Sequence, residues 1–551
     1  MDRDQQRIDS IRRQQSELEN HVMDEFFAGR MSRREFVRRS TVLGMGLTSI
    51  GAFLAACGTG TTTPPATGLK KGGKLIVAVI APAGKIDPLS VADEGGLAVL
   101  GQAGEYLVWS DKDLKLRPVL ATKWSSNSDG SVWTFTIRSG VKFNDGTALT
   151  AKDVAATMNT HADPGNKSNA LSALSGVLSK GGAVAKDDTT VEFHLDAPNG
   201  SFPYLISSDN YNVIILPASY DYSKKYEDSF LGTGPWKKTS FTTGKGVSFA
   251  KNASYWDSGA PNLDSLDMTF YAEDQPRILS LTSGTSDVIS QFPIGAGQPL
   301  LNNPNVIAIG LRSTAHRQIH MRTDKGAFTD KRVRQAMALV VNRSDLVTGL
   351  LKGKGDIGND SPFAPVFPFT DTSVAQRALD VAKAKQLMSD AGKSSGFSTT
   401  LYTWNSYEIP DLAALVKSAA QQIGVNVALQ VLDPDTYYSK YWLDSELGIT
   451  DYGHRGVPNV FLTAPLTSKG TWNAAHFANS AYDDLVKQYV SASDVPAQKK
   501  LAGQIETLLL DQTPIIFPYF YYHMSATKNT VSGVEPTAMG HINMKAAGIK
   551  S

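Results

Sequence analysis

The sequence predicts an α/β protein, and two stretches carry that prediction. Ser398 to Trp404, Pro410 to Ile423 and the alternating Val425, Val427, Leu429 and Val431 read as strand, helix and strand. Two strands joined through a 14-residue helix form a parallel crossover, since antiparallel neighbours need only a short turn. Earlier in the chain, Lys74 to Ile80, Trp133 to Arg138 and Thr190 to Leu195 are compact β-branched or alternating runs, with a helical pattern from Asp153 to His161 among them. Strands and helices are therefore mixed along the chain, as an α/β architecture requires.

The N-terminal end reads as a leader. Met31-Ser32-Arg33-Arg34-Glu35-Phe36 precedes 17 residues without a charge, Ser40 to Ala56, and then Cys57. Paired arginines ahead of a mildly apolar run, Arg33 and Arg34 here, are a twin-arginine export signal. The run is rich in Gly, Ser and Thr, and a bilayer span takes about 20 strongly apolar residues. Leu54-Ala55-Ala56-Cys57 has the form of a bacterial lipobox, in which the thiol is lipidated and becomes the mature N-terminus. Met1, Met23 and Met31 all remain possible starts. Thr59 to Gly73 is a flexible Thr/Pro/Gly tether. The expected product is an extracytoplasmic protein, lipid-anchored to the cell membrane in a periplasmic space or on the outer face of the cytoplasmic membrane.

Removing residues 1–56 of 551 leaves 495, enough for about three domains. A formal charge of +1 gives no support to a nucleic-acid role, which needs a basic patch. Cys57 is the chain's single cysteine, so internal disulfides are excluded and stability rests on core size. Further on, Thr329 is the expected N-cap of a helix with the apolar stripe Val333, Ala336, Met337, Val340 and Val341.

Signals for catalysis are weak. Gly353-Lys354-Gly355-Asp356-Ile357-Gly358 spells GxGxxG but follows a helical segment, whereas a dinucleotide loop follows a strand. HExxH and EF-hand patterns are absent from the sequence. His316 and His320 are spaced for a helical metal pair, but Ile319 and Met321 beside them suggest a strand. No enzyme activity, cofactor or metal is expected.

Several motifs resemble one family. Gly72-Gly73-Lys74-Leu75-Ile76-Val77-Ala78 looks like its opening strand. Pro118 to Trp124, Asp129-Gly130 and Trp133-Thr134-Phe135-Thr136-Ile137-Arg138-Ser139-Gly140-Val141-Lys142-Phe143-Asn144-Asp145-Gly146-Thr147 form its most distinctive signature. Gly232-Thr233-Gly234-Pro235-Trp236 and Phe328-Thr329-Asp330-Lys331-Arg332-Val333-Arg334-Gln335-Ala336-Met337 complete it. These resemble the extracellular solute-binding proteins of family 5, the peptide, nickel and oligopeptide receptors of ABC importers.

The resemblance implies a two-lobed periplasmic-binding-protein fold of type II (cluster C) with an extra subdomain inserted in the first lobe. Applied to this chain it gives a leader over 1–56, a tether over 57–73 and first-lobe segments over 74–95, 205–312 and 515–551. The subdomain then spans 96–204 and the second lobe 313–514. It also implies a small peptide-like or opine-like ligand between closing lobes, ABC permease and ATPase partners, and a monomer. A non-transport sensor or adhesion lipoprotein, or an extracellular hydrolase, are the alternatives.

Open α/β sheets bind ligands beyond the carboxyl ends of their strands. That rule selects Tyr402, Trp404 and Asn405, and then Tyr452, His454 and Arg455 in the loop after the next strand. In peptide-binding relatives that loop carries an aspartate for the ligand's ammonium, and His454 falls at its aligned position. An arginine that dipeptide-binding relatives use for the carboxylate has no counterpart in 404–409. The implied ligand is accordingly acceptor-rich rather than a free dipeptide. Tyr106 is the expected contribution of the first lobe. Arg322 stands where the family usually has asparagine.

Overall fold

The computed structural model describes residues 68–551. Arg33, Arg34 and Cys57 lie outside the described residues. Among the described residues no helix is long and apolar enough to cross a membrane.

Two large sheets organise the chain. The first runs Val306–Leu311, His523–Lys528, Val288–Ile289, Lys74–Ile80, Ser265–Tyr271, Gly246–Lys251, Trp236–Thr242. Its centre is Lys74–Ile80, parallel to both neighbours. Val77, Ala78 and Val79 are buried in succession, so this strand is covered on both faces.

The second sheet runs Gly355–Ile357, Tyr519–Tyr521, His316–Met321, Leu447–Tyr452, Phe397–Trp404, Val425–Leu432, with Ile515–Ile516 also on His316–Met321. The predicted crossover is present. Phe397–Trp404 pairs in parallel with Val425–Leu432, and the helix Ile409–Gln421 connects them. Leu412, Ala413, Val416 and Ala420 bury one face of that helix, and Gly424, at φ 77°, turns the chain into the next strand.

A smaller antiparallel sheet orders Ala121–Ser126, Val132–Ile137, Thr190–His194 and Ala183–Ala185. Trp133, Phe135 and Ile137 alternate into its core. The helix Lys331–Leu339 starts one residue later than expected. Asp330 caps it, its carboxylate accepting the Arg332 N–H at 2.9 Å, while the Thr329 hydroxyl donates to the Gly326 carbonyl.

The chain passes between the two large sheets twice, after Leu311 and after Tyr521. The Tyr521 N–H donates to the Ala315 carbonyl at 3.0 Å, so the two crossings run side by side. Arg312 pairs with Asp356 at 2.8 Å and the Tyr522 hydroxyl donates to the same carboxylate. The return to the first sheet comes at His523 and not at residue 515. Ile515–Ile516 and Tyr519–Tyr521 still pair within the second sheet, because Ile516 and Tyr519 bury in its core.

Candidate functional site

A cleft of about 750 Å³ opens beside the crossings. Glu94, Tyr211, Gln291, Phe292 and Met539 line it from the side of the first sheet. Arg317, Tyr407, Glu408, Asp411, Asp451, His454 and Arg455 line it from the second, and Tyr521 to Met524 form its back. The volume suits a small-molecule solute.

Arg317 organises the second wall. Its guanidinium bonds Glu408 with two parallel contacts of 2.9 and 3.0 Å, and Nη1 lies 3.7 Å from Asp451. Tyr519 donates to Glu408 at 2.7 Å and Tyr438 to Asp451 at 2.7 Å. The ring of Tyr521 sits 4.4 Å from the same guanidinium and that of Tyr407 5.4 Å. Burial alone would lower the Arg317 guanidinium, yet the Tyr521 and Glu408 oxygens hold it above its ordinary value. Glu408 shifts the opposite way: burial would raise it, and Arg317 pulls it below the usual carboxylate range. Of the three carboxylates on this wall, Glu408 and Asp451 are thus already engaged. Tyr407 is 67% exposed and held at φ 51°, a left-handed conformation that tyrosine rarely adopts.

The loop after Leu447–Tyr452 is fixed to the first crossing. The Thr314 N–H donates to His454 Nδ1 at 3.1 Å, the Arg455 N–H to Thr314 Oγ1 at 2.8 Å, and Thr314 Oγ1 to the Arg455 carbonyl at 2.9 Å. Because Nδ1 accepts, the ring proton of His454 belongs on Nε2, a neutral donor. Burial, and then Arg455, push His454 down to about 3, so it stays uncharged at physiological pH. Arg455 makes one side-chain hydrogen bond, to the His454 carbonyl, and no ion pair among the described residues. Burial lowers its guanidinium somewhat, with Tyr211 and Asp209 opposing.

The sequence-selected residues divide into those that reach the cleft and those that do not. His454 and Arg455 line it. Tyr106 does not: it is buried, with its hydroxyl on the Tyr211 carbonyl at 2.8 Å, and it is Tyr211 that reaches the cleft. Tyr402 stacks on Tyr441 at 4.6 Å and Trp404 packs against Tyr438 and Tyr407, because the strand ends before the wall begins. Asn405 only continues the strand pairing, its N–H on the Leu432 carbonyl. Tyr452 stacks on His316 in the core, since neighbouring strand residues face opposite ways and Asp451 takes the cleft side. Arg322 is bound to Asp324 by contacts of 2.7 and 3.0 Å at the other end of its strand. Although His454 stands at the aligned position of the relatives' aspartate, carboxylates are present in the cleft: Glu94, Glu408, Asp411 and Asp451 all line it.

Trp404→Ala is therefore expected to lower the melting temperature, by about 1–3 kcal/mol of stability for a half-buried aromatic, while changing ligand affinity less than about twofold. Thermal unfolding and calorimetry on the same variant check this.

The sequence reading missed Arg317, Glu408 and Asp451. One signal was available: His316-Arg317-Gln318 places polar residues in a strand whose six positions are all buried. Gln291 Oε1 and His523 Nε2 also went unnoticed. Both are buried at the cleft and have no hydrogen-bond partner among the described residues. Among the described residues no group of His, Cys, Asp or Glu side chains is placed to hold a metal ion.

Residues 115–473 match the family model of bacterial extracellular solute-binding proteins, family 5 Middle, and the chain belongs to this family. It is an extracytoplasmic solute-binding protein. The chain is 26% identical over 479 residues to the dipeptide-binding protein DppE of Bacillus subtilis (strain 168), covering 80% of this chain and 86% of that protein. It is 26% identical over 460 residues to the glutathione-binding protein GsiB of Escherichia coli (strain K12), covering 80% and 88%. The fold matches an unliganded open form of the periplasmic murein tripeptide binding protein MppA, with TM-score 0.77, 24% identity, and coverage of 87% of this chain and 98% of that one. Two lobes of type II architecture follow from this match and the two sheets.

Proposed function

We propose that this protein is the receptor of an ABC importer and captures a small peptide-like solute between its lobes for delivery to a permease, without catalysis and as a monomer. The observation that carries the reading is Arg455: a guanidinium with no carboxylate partner among the described residues, on a cleft wall beside the neutral donor of His454. Such a pair suits the carboxylate end of a peptide. Cleft carboxylates such as Glu94 suit its amino end. The names of DppE, GsiB and MppA support a peptide-like ligand.

Thermal unfolding with a panel of dipeptides, tripeptides, glutathione and opines tests the reading. A true ligand at a hundredfold excess over its Kd adds about 2.7 kcal/mol. A panel in which no compound raises the melting temperature, or one in which a compound is turned over, would overturn it.

The leader and Cys57 fit a lipid-anchored receptor exported through the twin-arginine route. Two acyl chains give stable anchoring at roughly 0.8 kcal/mol per buried methylene. Cys57→Ser is expected to move the protein from the membrane to the soluble fraction, and Arg33→Lys with Arg34→Lys to retain precursor in the cytoplasm. Fractionation and immunoblotting check both.

A further inference from the structure

Gln291 and His523 lie on adjoining segments at the cleft end of the first sheet. Gln291 follows the strand Val288–Ile289, which runs parallel to Lys74–Ile80. It therefore stands beyond a carboxyl end, where open α/β sheets take their ligands. His523 opens the strand His523–Lys528, antiparallel to Val288–Ile289, and so starts at that same end. The Phe292 N–H donates to the Met524 carbonyl at 2.9 Å and the Ser525 hydroxyl to the Ile289 carbonyl at 2.8 Å, which fixes the two segments to each other. Both residues line the cleft, yet Gln291 Oε1 and His523 Nε2 are buried without a hydrogen-bond partner among the described residues.

The state of the imidazole decides what these atoms want. Burial pushes His523 down to about 4, with the Ser290 carbonyl opposing, so the ring is neutral at physiological pH. A carbonyl opposes by holding a ring N–H. Because Nε2 has no partner, that proton is on Nδ1, and Nε2 is left with its lone pair. The cleft wall thus holds two uncharged acceptors on a rigid backbone, and buried acceptors without donors are costly. The matching group is a donor that is not part of the chain. An ammonium would be drawn to the cleft carboxylates, which leaves an uncharged N–H as the better match for Gln291 and His523.

We propose that Gln291 and His523 are specificity residues that accept the amide N–H groups of the solute, so that the receptor selects an amide over an ester of the same shape. This rests on the peptide-receptor reading above and adds the part of the solute that its charged ends do not define. The second wall takes a terminal charge through Arg455, and the first wall reads the uncharged backbone between the ends.

The test uses trialanine, which has two such N–H groups and no polar side chain, and the two analogues in which one or the other amide N–H is replaced by an ester oxygen. Calorimetry compares the three on the native chain, on Gln291→Met and on His523→Phe. The native protein should bind trialanine at least about tenfold more tightly than one of the esters, because the ester oxygen leaves a buried acceptor unpaired. Gln291→Met should lose about tenfold for trialanine and less than twofold for that ester. Its empty-state melting temperature should equal or exceed the native one, since the Oε1 it removes bonds nothing within the described residues. His523→Phe should likewise lose more for trialanine than for one of the esters. Equal affinities for trialanine and both esters, as water on these atoms would give, would overturn the proposal and leave the receptor reading standing. An equal loss for peptide and esters in Gln291→Met would do the same. Binding of none of the three compounds would overturn it too, and the receptor reading falls with it only if the wider panel is also silent.

Discussion

Asp360→Asn should destabilise the protein by about 3–5 kcal/mol, the cost of stranding buried cations when their shared anion is removed. The Asp360 carboxylate is fully buried between Arg343, 2.6 Å away, and Arg377, 3.0 Å away. The first contact is a hydrogen bond. The second is an ion pair whose angle is too poor for a hydrogen bond, leaving Oδ2 otherwise unpartnered. The Phe517 N–H also donates to Asp360, tying this centre to the segment that leads into the second crossing. Asparagine tolerates the left-handed backbone found here, φ 53°, so the substitution isolates the charge from backbone strain. Denaturant unfolding measures the loss; a midpoint within experimental error of the native protein would mean that the guanidinia find other partners.

Arg455→Ala should weaken binding of the cognate solute about a hundredfold, within the range for deleting one partner of a buried charged pair. The backbone of the loop is held by Thr314 and not by the guanidinium, so the fold should survive. Arg455→Lys should recover part of the affinity, because a point charge replaces a planar fork. Calorimetry gives the affinities, and unchanged thermal unfolding of the empty alanine variant separates lost binding from lost structure.

How far the sequence reaches depends on the range of the interaction. The crossover from Phe397 to Leu432 was legible because its periodicity is local: alternation for the strands, helical spacing between them, and a glycine at the turn. Lys74–Ile80 was legible as a β-branched run between breakers. The site depends on pairings that periodicity does not encode. Arg317 meets Glu408 from 91 residues away, and Thr314 holds His454 from 140. Parity explains another miss. Tyr452 and Asp451 are adjacent, and register decides which one faces the cleft. Trp404 failed by a short distance, since the wall begins at Tyr407, just beyond the strand. His454 and Arg455 were selected because the loop after a strand end is where the general rule places ligands, and here the loop does reach the cleft.

The central claim is that a solute is captured between two lobes that close on it. Small-angle X-ray scattering of the purified protein, empty and then saturated with the compound that most raises its melting temperature, tests this directly. Closure predicts a smaller radius of gyration in the saturated sample. A compound that binds tightly and leaves the radius of gyration unchanged would contradict it.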